Sequence, residues 1–473
     1  MSMSLEQVAH LLRGKASIID AATAMGAQLL EDQDLRQAAS SSEFAAEMRS
    51  VEAACAATTA APWIESRAAP DLAVALTTAS ANADALSKSL ERLGMVPELL
   101  LIALVRGLCA GPLLRHYDSC DEVVRLRRGT PFPMPRREAQ LVFGRGNTTP
   151  NPSTLNPHHP LTGTRFRLCP VETFDTTRVE LDFSCADAID ACTWDDTDDL
   201  APVIPPVATV HPYESGSELS IGFISAIAFF DVRPVAWDEN SVLEQLRTAK
   251  RAGARIAVIP ELTLDQPDSL ETGLAMNRED VPRIVVAGSA HVTIEGERRN
   301  EAHVYIDGAC VATHKKIRPF VARSLPVEVT HALDPADRSG PWTEDLTSEP
   351  KTIKILSGRD GRLATVICAD FNDPAIVSAL SMSGVNQLLV PALTTDQGAF
   401  AQHAGQLAAA GQAVVVVANG TLATDDASSD LFLTLASTPV KEAAAQSYAP
   451  TGSRRAVVLI SFADSPPVSF ASA

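Results

Sequence analysis

Three residues with side chains suited to nucleophilic catalysis follow three apolar segments of this chain. Glu261 lies in IAVIPEL (256–262), Lys316 lies in THKKIRPF, and Cys368 ends LATVIC. A carboxylate can act as a general base, an ammonium can stabilise an oxyanion, and a thiolate is a strong nucleophile. Together they predict a site for nucleophilic attack on the carbon of an amide or a nitrile.

Each of the three residues has an ordinary structural interpretation when it is taken alone. A carboxylate after a strand is often a solvated helix cap, a lysine is usually solvated, and a free cysteine is usually an inert core residue. Lys315 precedes Lys316 directly and stays an alternative for the cation, although neighbouring strand residues point to opposite faces. The catalytic interpretation therefore depends on the combination, in which an ammonium favours the thiolate and a carboxylate accepts its proton.

The elements that must position these residues alternate between strands and helices beyond residue 219. A hairpin is predicted about Asp307-Gly308, and helices are predicted after Asn240 and after Asp373-Pro374, whose side chains and ring suit helix starts. The predicted strands are 221–230, 256–262, 284–287, 302–306, 310–313, 363–367, 387–390 and 414–417. This alternation predicts an α/β sheet in which parallel strands dominate.

The residues before this α/β pattern have a different character. Residues 4–109 are rich in Ala and Leu with helical spacing, as in Leu86, Leu90 and Leu93, and they predict a helical bundle. Residues 131–216 are rich in turn-forming residues, although 171–183 alternate enough to hold one or two strands. We therefore expect a mainly α-helical N-terminal domain at 1–130, an irregular linker region at 131–217 and an α/β domain at 218–473.

Composition and charge exclude several classes of protein. The chain has 473 residues, of which 46% are hydrophobic and 21% charged, and its longest apolar runs fall far short of a membrane span. We expect a cytoplasmic protein with no membrane role. The net charge of -19 argues against nucleic-acid binding, because that binding depends on cationic side chains.

The cysteines do not predict a disulfide framework or a metal centre. Eight cysteines are spread thinly along the chain, and no two of them form a CxxC pair. Cys185 and Cys192 are the closest two, and their spacing does not suit zinc. No metal and no cofactor are expected.

Residues 219–462 resemble the nitrilase, or carbon-nitrogen hydrolase, superfamily, whose signature is a Glu-Lys-Cys triad in this order. The resemblance is carried by IAVIPEL, by the Asn-containing hairpin RNEAHVYIDG, by the spacing of Lys316 from Asp307-Gly308, and by VICADFNDP. QLLVPA and VVVVANG resemble the two strands that follow the nucleophile. Residues 1–215 resemble no family, and 399–410 and 421–453 depart from the usual pattern.

The resemblance implies an αββα sandwich, commonly paired into a homodimer or a higher homo-oligomer, and a mechanism that needs no metal. Glu261 would be the general base, Lys316 the cation at the oxyanion and Cys368 the nucleophile, with the backbone N–H of Ala369 as a second oxyanion donor. Many members carry a second glutamate after the lysine that orients the substrate. Glu328 is the nearest acidic residue downstream of Lys316 and is predicted for that place.

The sequence thus predicts a cysteine-dependent hydrolase of a non-peptide C–N bond in an amide, a nitrile or a carbamoyl group, acting through a thioester. Two alternatives stay open. The same triad could transfer the acyl group to an amine, or the domain could be a catalytically silent assembly module. In either case the helical N-terminal domain is a candidate binding region for a protein partner.

Overall fold

The structure is a computed structural model, and its chain divides into two compact units. The first unit comprises 1–136 and 146–175, and the second comprises 137–145 and 176–473. The structure describes residues 18–31, 105, 113, 117, 123–134, 166–169, 177–193, 205–213, 218–225, 228–265, 267–322, 341–347, 351–359, 361–394, 397–411, 413–420, 434–437, 444–448 and 456–461.

The first unit contains one described helix and a small strand pair. Helix α1 is Ile18–Glu31, and strands β1, β2 and β3 are Val123–Leu126, Pro131–Pro133 and Phe166–Leu168. Strands β2 and β3 pair antiparallel. Helix α1 lies within the range predicted as a helical bundle, but the residues that carry most of that prediction, including Leu86, Leu90 and Leu93, lie outside the described residues. The helical N-terminal domain is therefore not confirmed.

Close backbone contact in the first unit depends on glycine. A Cβ atom placed on Gly26 of α1 would lie 2.0 Å from the carbonyl oxygen of Gly129. Gly129 itself has a φ of 84°, which glycine adopts readily and other residues do not. These two glycines allow α1 to lie against the turn before β2.

The second unit is built on two large mixed sheets. In the first sheet the strand order is β10-β11-β9-β8-β5-β21-β20, with β12 paired to β11. The bounds of these strands are β5 Val207–His211, β8 Ile256–Val258, β9 Ile284–Val286, β10 Ala290–Ile294, β11 Glu297–Ile306, β12 Ala309–Lys315, β20 Ala444–Tyr448 and β21 Ala456–Ser461.

The second sheet has the strand order β4-β15-β16-β17-β18-β19 within this unit. Its bounds are β4 Thr177–Asp182, β15 Lys351–Ser357, β16 Arg362–Thr365, β17 Gln387–Ala392, β18 Val414–Asn419 and β19 Thr434–Ser437. In the first sheet the two parallel pairs, β5-β8 and β8-β9, lie at the centre and are flanked by antiparallel pairs. In the second sheet β4-β15, β16-β17 and β17-β18 are parallel, and β15-β16 and β18-β19 are antiparallel. The expectation that parallel strands dominate is therefore wrong for the first sheet, whereas parallel pairs outnumber antiparallel pairs in the second.

Helices cover the outer faces of these two sheets. The inner faces share an apolar core that includes Val258, Val304, Leu389 and Val416. Helix α3, Glu239–Arg251, and helix α4, Glu271–Met276, pack on the first sheet. Helix α6, Gln397–Gly411, packs on the second sheet beside helix α5, Pro374–Met382. The short helix α2, Ala186–Thr193, also contacts the second sheet, but its Ile189 and Cys192 join the core between the sheets. The layering fits the α/β sandwich that the sequence predicts.

A smaller sheet lies in the same unit and includes Glu344, at the end of β14. Its strand order is β13-β14-β7-β6. The bounds are β6 Leu219–Ser225, β7 Ala228–Pro234, β13 Val321–Ala322 and β14 Trp342–Glu344. The predicted single strand 221–230 is instead the hairpin of β6 and β7, because the chain reverses between them.

Local side-chain chemistry explains several boundaries. The carboxylate of Asp373 accepts a hydrogen bond from the N–H of Ala375 and begins α5, as predicted. Helix α3 begins differently, because its capping side chain is Asp238 and not the predicted Asn240. Strand β4 lies where the sequence allows one or two strands, and β5 lies further along the region predicted as irregular; both belong to the second unit. Among the described residues, no helix is both long and apolar enough to cross a membrane.

Candidate active site

A buried ammonium lies between two buried carboxylates where β8, β12 and β14 end. The Nζ atom of Lys316 is 2.6 Å from Oε1 of Glu261 and 2.7 Å from Oε2 of Glu344. All three side chains are at most 2% exposed. A buried charge needs partners of opposite sign, and here one cation satisfies two anions.

The position of Glu261 follows from the turn that ends β8. Leu262 has a φ of 57°, its N–H donates to Oγ of Ser289, and the hydroxyl of Thr263 donates to the carbonyl of Pro260. The N–H of Glu261 donates to the carbonyl of Ala392 at the end of β17. The turn therefore directs the carboxylate inward, toward Lys316 and Asn300.

Asn300 connects the two carboxylates to each other. Its Nδ2 atom lies 2.9 Å from Oε1 of Glu261 and 2.8 Å from Oε1 of Glu344. Its backbone carbonyl oxygen accepts a hydrogen bond from the backbone N–H of Lys316. One residue of β11 therefore fixes the backbone of the lysine and both of the groups that the lysine contacts.

Glu344 is held by further donors besides Lys316 and Asn300. Oε2 accepts from the N–H of Phe320 at 2.8 Å, and Oε1 is 2.9 Å from Nε2 of His291. The N–H of Val232 donates to Nδ1 of the same imidazole, so Nε2 carries the proton that faces Glu344 in the neutral ring. Phe230 stacks on this imidazole with ring centroids 4.4 Å apart. His291 therefore positions Glu344.

Cys368 begins a 3-10 turn directly after a buried apolar segment. It is 2% exposed and has a φ of 45°, a left-handed backbone conformation that is uncommon for a residue with a side chain. Its thiol interacts with the carboxylate of Glu261, and Sγ lies 3.9 Å from the carbonyl oxygen of Leu393. The turn, Cys368–Asn372, thus presents the sulfur to the acid of the Lys316 cluster.

Asp370 joins this turn to the segment that carries the lysine. Its Oδ1 accepts hydrogen bonds from the N–H groups of Ile317 and Arg318 at 2.9 and 2.6 Å. Its Oδ2 lies 3.0 Å from Nε2 of His314 and accepts from the N–H of Ile367. A single buried carboxylate therefore links the turn that begins at Cys368 to the residues on both sides of Lys316.

The charges of the cluster shift the proton affinities of its members in different directions. Burial raises the pKa of Glu261, and Glu344 raises it further, while Lys316 opposes both without reversing the shift. Burial alone would also raise the pKa of Glu344, but Lys316 and His291 outweigh burial and hold the pKa of Glu344 well below its usual range. The two glutamates thus divide into a base that can accept a proton and a permanent anion.

The same interactions act on the cation and on the thiol. Burial alone would lower the pKa of Lys316, but Glu261 and Glu344 outweigh burial and raise the pKa of the ammonium. Burial raises the pKa of the Cys368 thiol well above its usual value, Glu261 adds to that rise, and Lys316 opposes it. The resting site therefore pairs a charged lysine with a protonated thiol.

The structure brings three of the residues predicted for the site together in one cluster. Glu261, Lys316 and Cys368 form one cluster, whereas Lys315 is partly exposed. Ala369 follows Cys368 in the 3-10 turn, and its predicted role as an oxyanion donor stays a prediction. Glu328 lies outside the described residues, and the glutamate that contacts Lys316 is Glu344. Among the described residues, no group of three or more His, Cys, Asp and Glu side chains could hold a metal ion.

Comparisons with known proteins find similarity among solved structures. No protein-family model matches the chain, and no curated protein matches it. An amidase from Nesterenkonia sp. AN1 is similar at 16% identity and a TM-score of 0.35, over 55% of this chain and 93% of that chain. Saccharomyces cerevisiae Nit3, a member of branch 10 of the nitrilase superfamily, is similar at 13% identity and a TM-score of 0.34, over 54% and 90%. A variant of the Nesterenkonia amidase also belongs to the nitrilase superfamily.

Proposed function

We propose that the second unit hydrolyses the C–N bond of an amide through a thioester on Cys368. The observation that carries the proposal is the ammonium of Lys316 held between the carboxylates of Glu261 and Glu344, with the Cys368 thiol interacting with Glu261. This arrangement supplies a nucleophile, a base and a fixed positive charge within one buried cluster. Such a set matches what acyl transfer from an amide requires.

In the first half of the reaction, Glu261 takes the proton of the Cys368 thiol as Sγ bonds to the carbonyl carbon. The raised pKa of Glu261 suits this step, because a base is most effective when its pKa lies near the working pH. The carbonyl oxygen becomes negatively charged and is stabilised by Lys316 and by the N–H of Ala369. The C–N bond then breaks, the proton on Glu261 passes to nitrogen, and ammonia leaves.

In the second half of the reaction, water hydrolyses the thioester. Glu261 takes a proton from the water as its oxygen bonds to the acyl carbon, and the tetrahedral intermediate again places its negative oxygen near Lys316. The C–S bond then breaks, the carboxylic acid leaves, and the proton on Glu261 returns to sulfur. The sum is one amide and one water converted to one acid and one ammonia.

Glu344 is proposed for the place that the sequence assigned to Glu328. Its low pKa keeps it negative throughout the cycle, so that Lys316 stays charged while Glu261 gains and loses a proton. The hydrogen bonds from His291, Asn300 and the N–H of Phe320 leave it little freedom to move. Glu344 therefore fixes the position of the ammonium nitrogen.

The test is ammonia release from a panel of small amides and nitriles by the native chain and by Cys368→Ser. We expect release by the native chain alone, together with an acyl adduct on Cys368 in intact-mass spectra. Cys185→Ser is a matched control, because Cys185 is a free thiol on another element of the same unit. Hydroxamate formation with added hydroxylamine would reveal acyl transfer to an amine, and silence of the native chain in all assays would contradict the proposal.

A further inference from the structure

A second thiol lies beside a histidine on the outer face of the first sheet, away from the cluster around Lys316. The Sγ atom of Cys310 is 3.7 Å from Nδ1 of His303, whose Nε2 is 3.7 Å from Oε2 of Glu301. The hydroxyl of Tyr305 is 3.4 Å from the same Nδ1. Cys310, His303 and Glu301, which we call the outer thiol site, thus form a chain of thiol, imidazole and carboxylate.

A β-bulge places Cys310 on this face. In the regular register Tyr305 would lie opposite Val311, but the pairing shifts between Val304 and Tyr305, so that Tyr305 pairs with Cys310. Val311 and Ala312 both pack into the core between the sheets, whereas Cys310 packs beside Tyr305 on the outer side. Bulges are one way in which proteins redirect a single side chain.

The imidazole of the outer thiol site is poised to hold a positive charge. Burial alone would lower the pKa of His303, but interactions with Cys310 and Glu301 raise it to about 9. Other charged groups surround the site on β11, on β12 and on the segment that packs against them. These groups are Arg299, Lys315, Asp268 and Glu271.

We infer that Cys310 is a second reactive thiol of this chain, a modification site for soft carbon electrophiles in which His303 is the partner of the sulfur and Glu301 holds His303. A cation beside a thiol favours the thiolate, which is the reactive form. Cys310 is also partly exposed, so a small reagent can reach it. With iodoacetamide the new bond is S–C, the C–I bond breaks, iodide leaves with its electron pair, and the thiol proton remains on His303.

The test is alkylation of the full chain by a small amount of iodoacetamide, followed by peptide mapping. The Cys368→Ser background removes the thiol of the candidate active site, so the outcome does not depend on the proposed function. Cys185 is the internal comparison, because it is a free cysteine of intermediate exposure beside a hydroxyl and not beside a histidine. At neutral pH we expect Cys310 to react about tenfold faster than Cys185.

Substitution of the histidine separates a specific effect from simple exposure. His303→Asn is expected to lower the rate at Cys310 to that at Cys185. Cys192 reports on folding in every sample, because it is buried and burial raises its pKa to about 11, so its alkylation would reveal an unfolded chain. Equal rates at Cys310 and Cys185, or a fast Cys310 in a folded His303→Asn protein, would overturn the inference.

Discussion

The candidate active site and the outer thiol site both place a sulfur beside a proton acceptor, but they differ in burial and in the acceptor. Cys368 is 2% exposed and meets a carboxylate, and burial raises the pKa of its thiol. Cys310 is partly exposed and meets an imidazole that its neighbours keep charged. The surroundings of a thiol therefore decide its state: burial beside a carboxylate keeps it protonated, whereas a neighbouring imidazolium pairs it with a positive charge.

The largest expected effect is the loss of activity when the sulfur atom of Cys368, and not that of Cys310, is replaced by oxygen. Cys368→Ser should lower kcat/KM for ammonia release by about 1000-fold or more, because the serine hydroxyl is a much weaker nucleophile beside a carboxylate. Cys310→Ser should leave the same rate close to that of the native chain. Initial rates on one amide provide the measurement, and similar losses in the two variants would refute the division of roles.

The next effect tests what holds the buried charges together. Lys316→Met should lower the free energy of unfolding by about 3–5 kcal/mol, because Glu261 and Glu344 then lose their shared cation. Lys315→Met is the matched control on a partly exposed neighbour, with an expected change within about 0.5 kcal/mol. Urea unfolding of both variants gives the comparison, and equal losses would show that the cation is not required for stability.

Two buried histidines, one beside each site, make the stability of the chain depend on pH in opposite directions. Burial lowers the pKa of His211, which lines a pocket with Pro260 beside the candidate active site, to about 4. Its contribution to stability is therefore complete above the unfolded value near 6.5 and is lost as pH falls toward 4, by about 3 kcal/mol in all. The raised pKa of His303 has the opposite sign, so its contribution is complete below 6.5 and is lost as pH rises through about 9.

Stability measured against pH in the native chain, in His211→Gln and in His303→Gln checks both signs. His211→Gln should flatten the acid side of the curve, and His303→Gln should flatten the alkaline side. Each variant serves as the control for the other, because both replace a buried imidazole with a neutral amide. A curve whose slope is unchanged by either substitution would contradict the corresponding assignment.

The smallest effect concerns the second glutamate. Glu344→Gln should lower kcat/KM by about 100-fold, because the amide no longer fixes the ammonium of Lys316 and misplacement by about 1 Å can cost that much. His291→Asn should produce a smaller loss of the same kind, since it removes only one donor to Glu344. Glu279→Gln, on an exposed side chain, is the control. A loss in Glu328→Gln without a loss in Glu344→Gln would restore the choice made from the sequence.

Local signals in the sequence are sufficient to predict much of the second unit. Asp307 and Gly308 have positive φ values at the predicted hairpin, and Asp373 with Pro374 begins α5 as expected. Such features depend on neighbouring residues, whose preferences are visible in the sequence. The start of α3 shows the limit, because Asp238 and Asn240 are both suitable caps and only the hydrogen bond to Ser241 distinguishes them.

Features that depend on distant pairing could not be predicted in the same way. Glu344 reaches Lys316 because β14 pairs with β7. The spacing of residues in the sequence gives no reason to prefer Glu344 to Glu328. Asp370 follows Ala369 in the segment VICADFNDP, yet the hydrogen bonds that it accepts from Ile317 and Arg318 depend on the packing of two segments far apart in the chain. The sequence signal for this role of Asp370 is limited to an acidic residue directly after an apolar strand.

The carboxylate of Asp370 has a consequence for how this unit could accommodate different substrates. It anchors the backbone that follows Lys316, and the side chain of His314 before it, to the turn that bears Cys368, so Nζ of Lys316 and Sγ of Cys368 belong to one rigid piece. Substitutions elsewhere in the unit would then leave the distance between this nitrogen and this sulfur unchanged. Under the proposed function, the range of accepted amides can therefore change without a change in the spacing of the two groups.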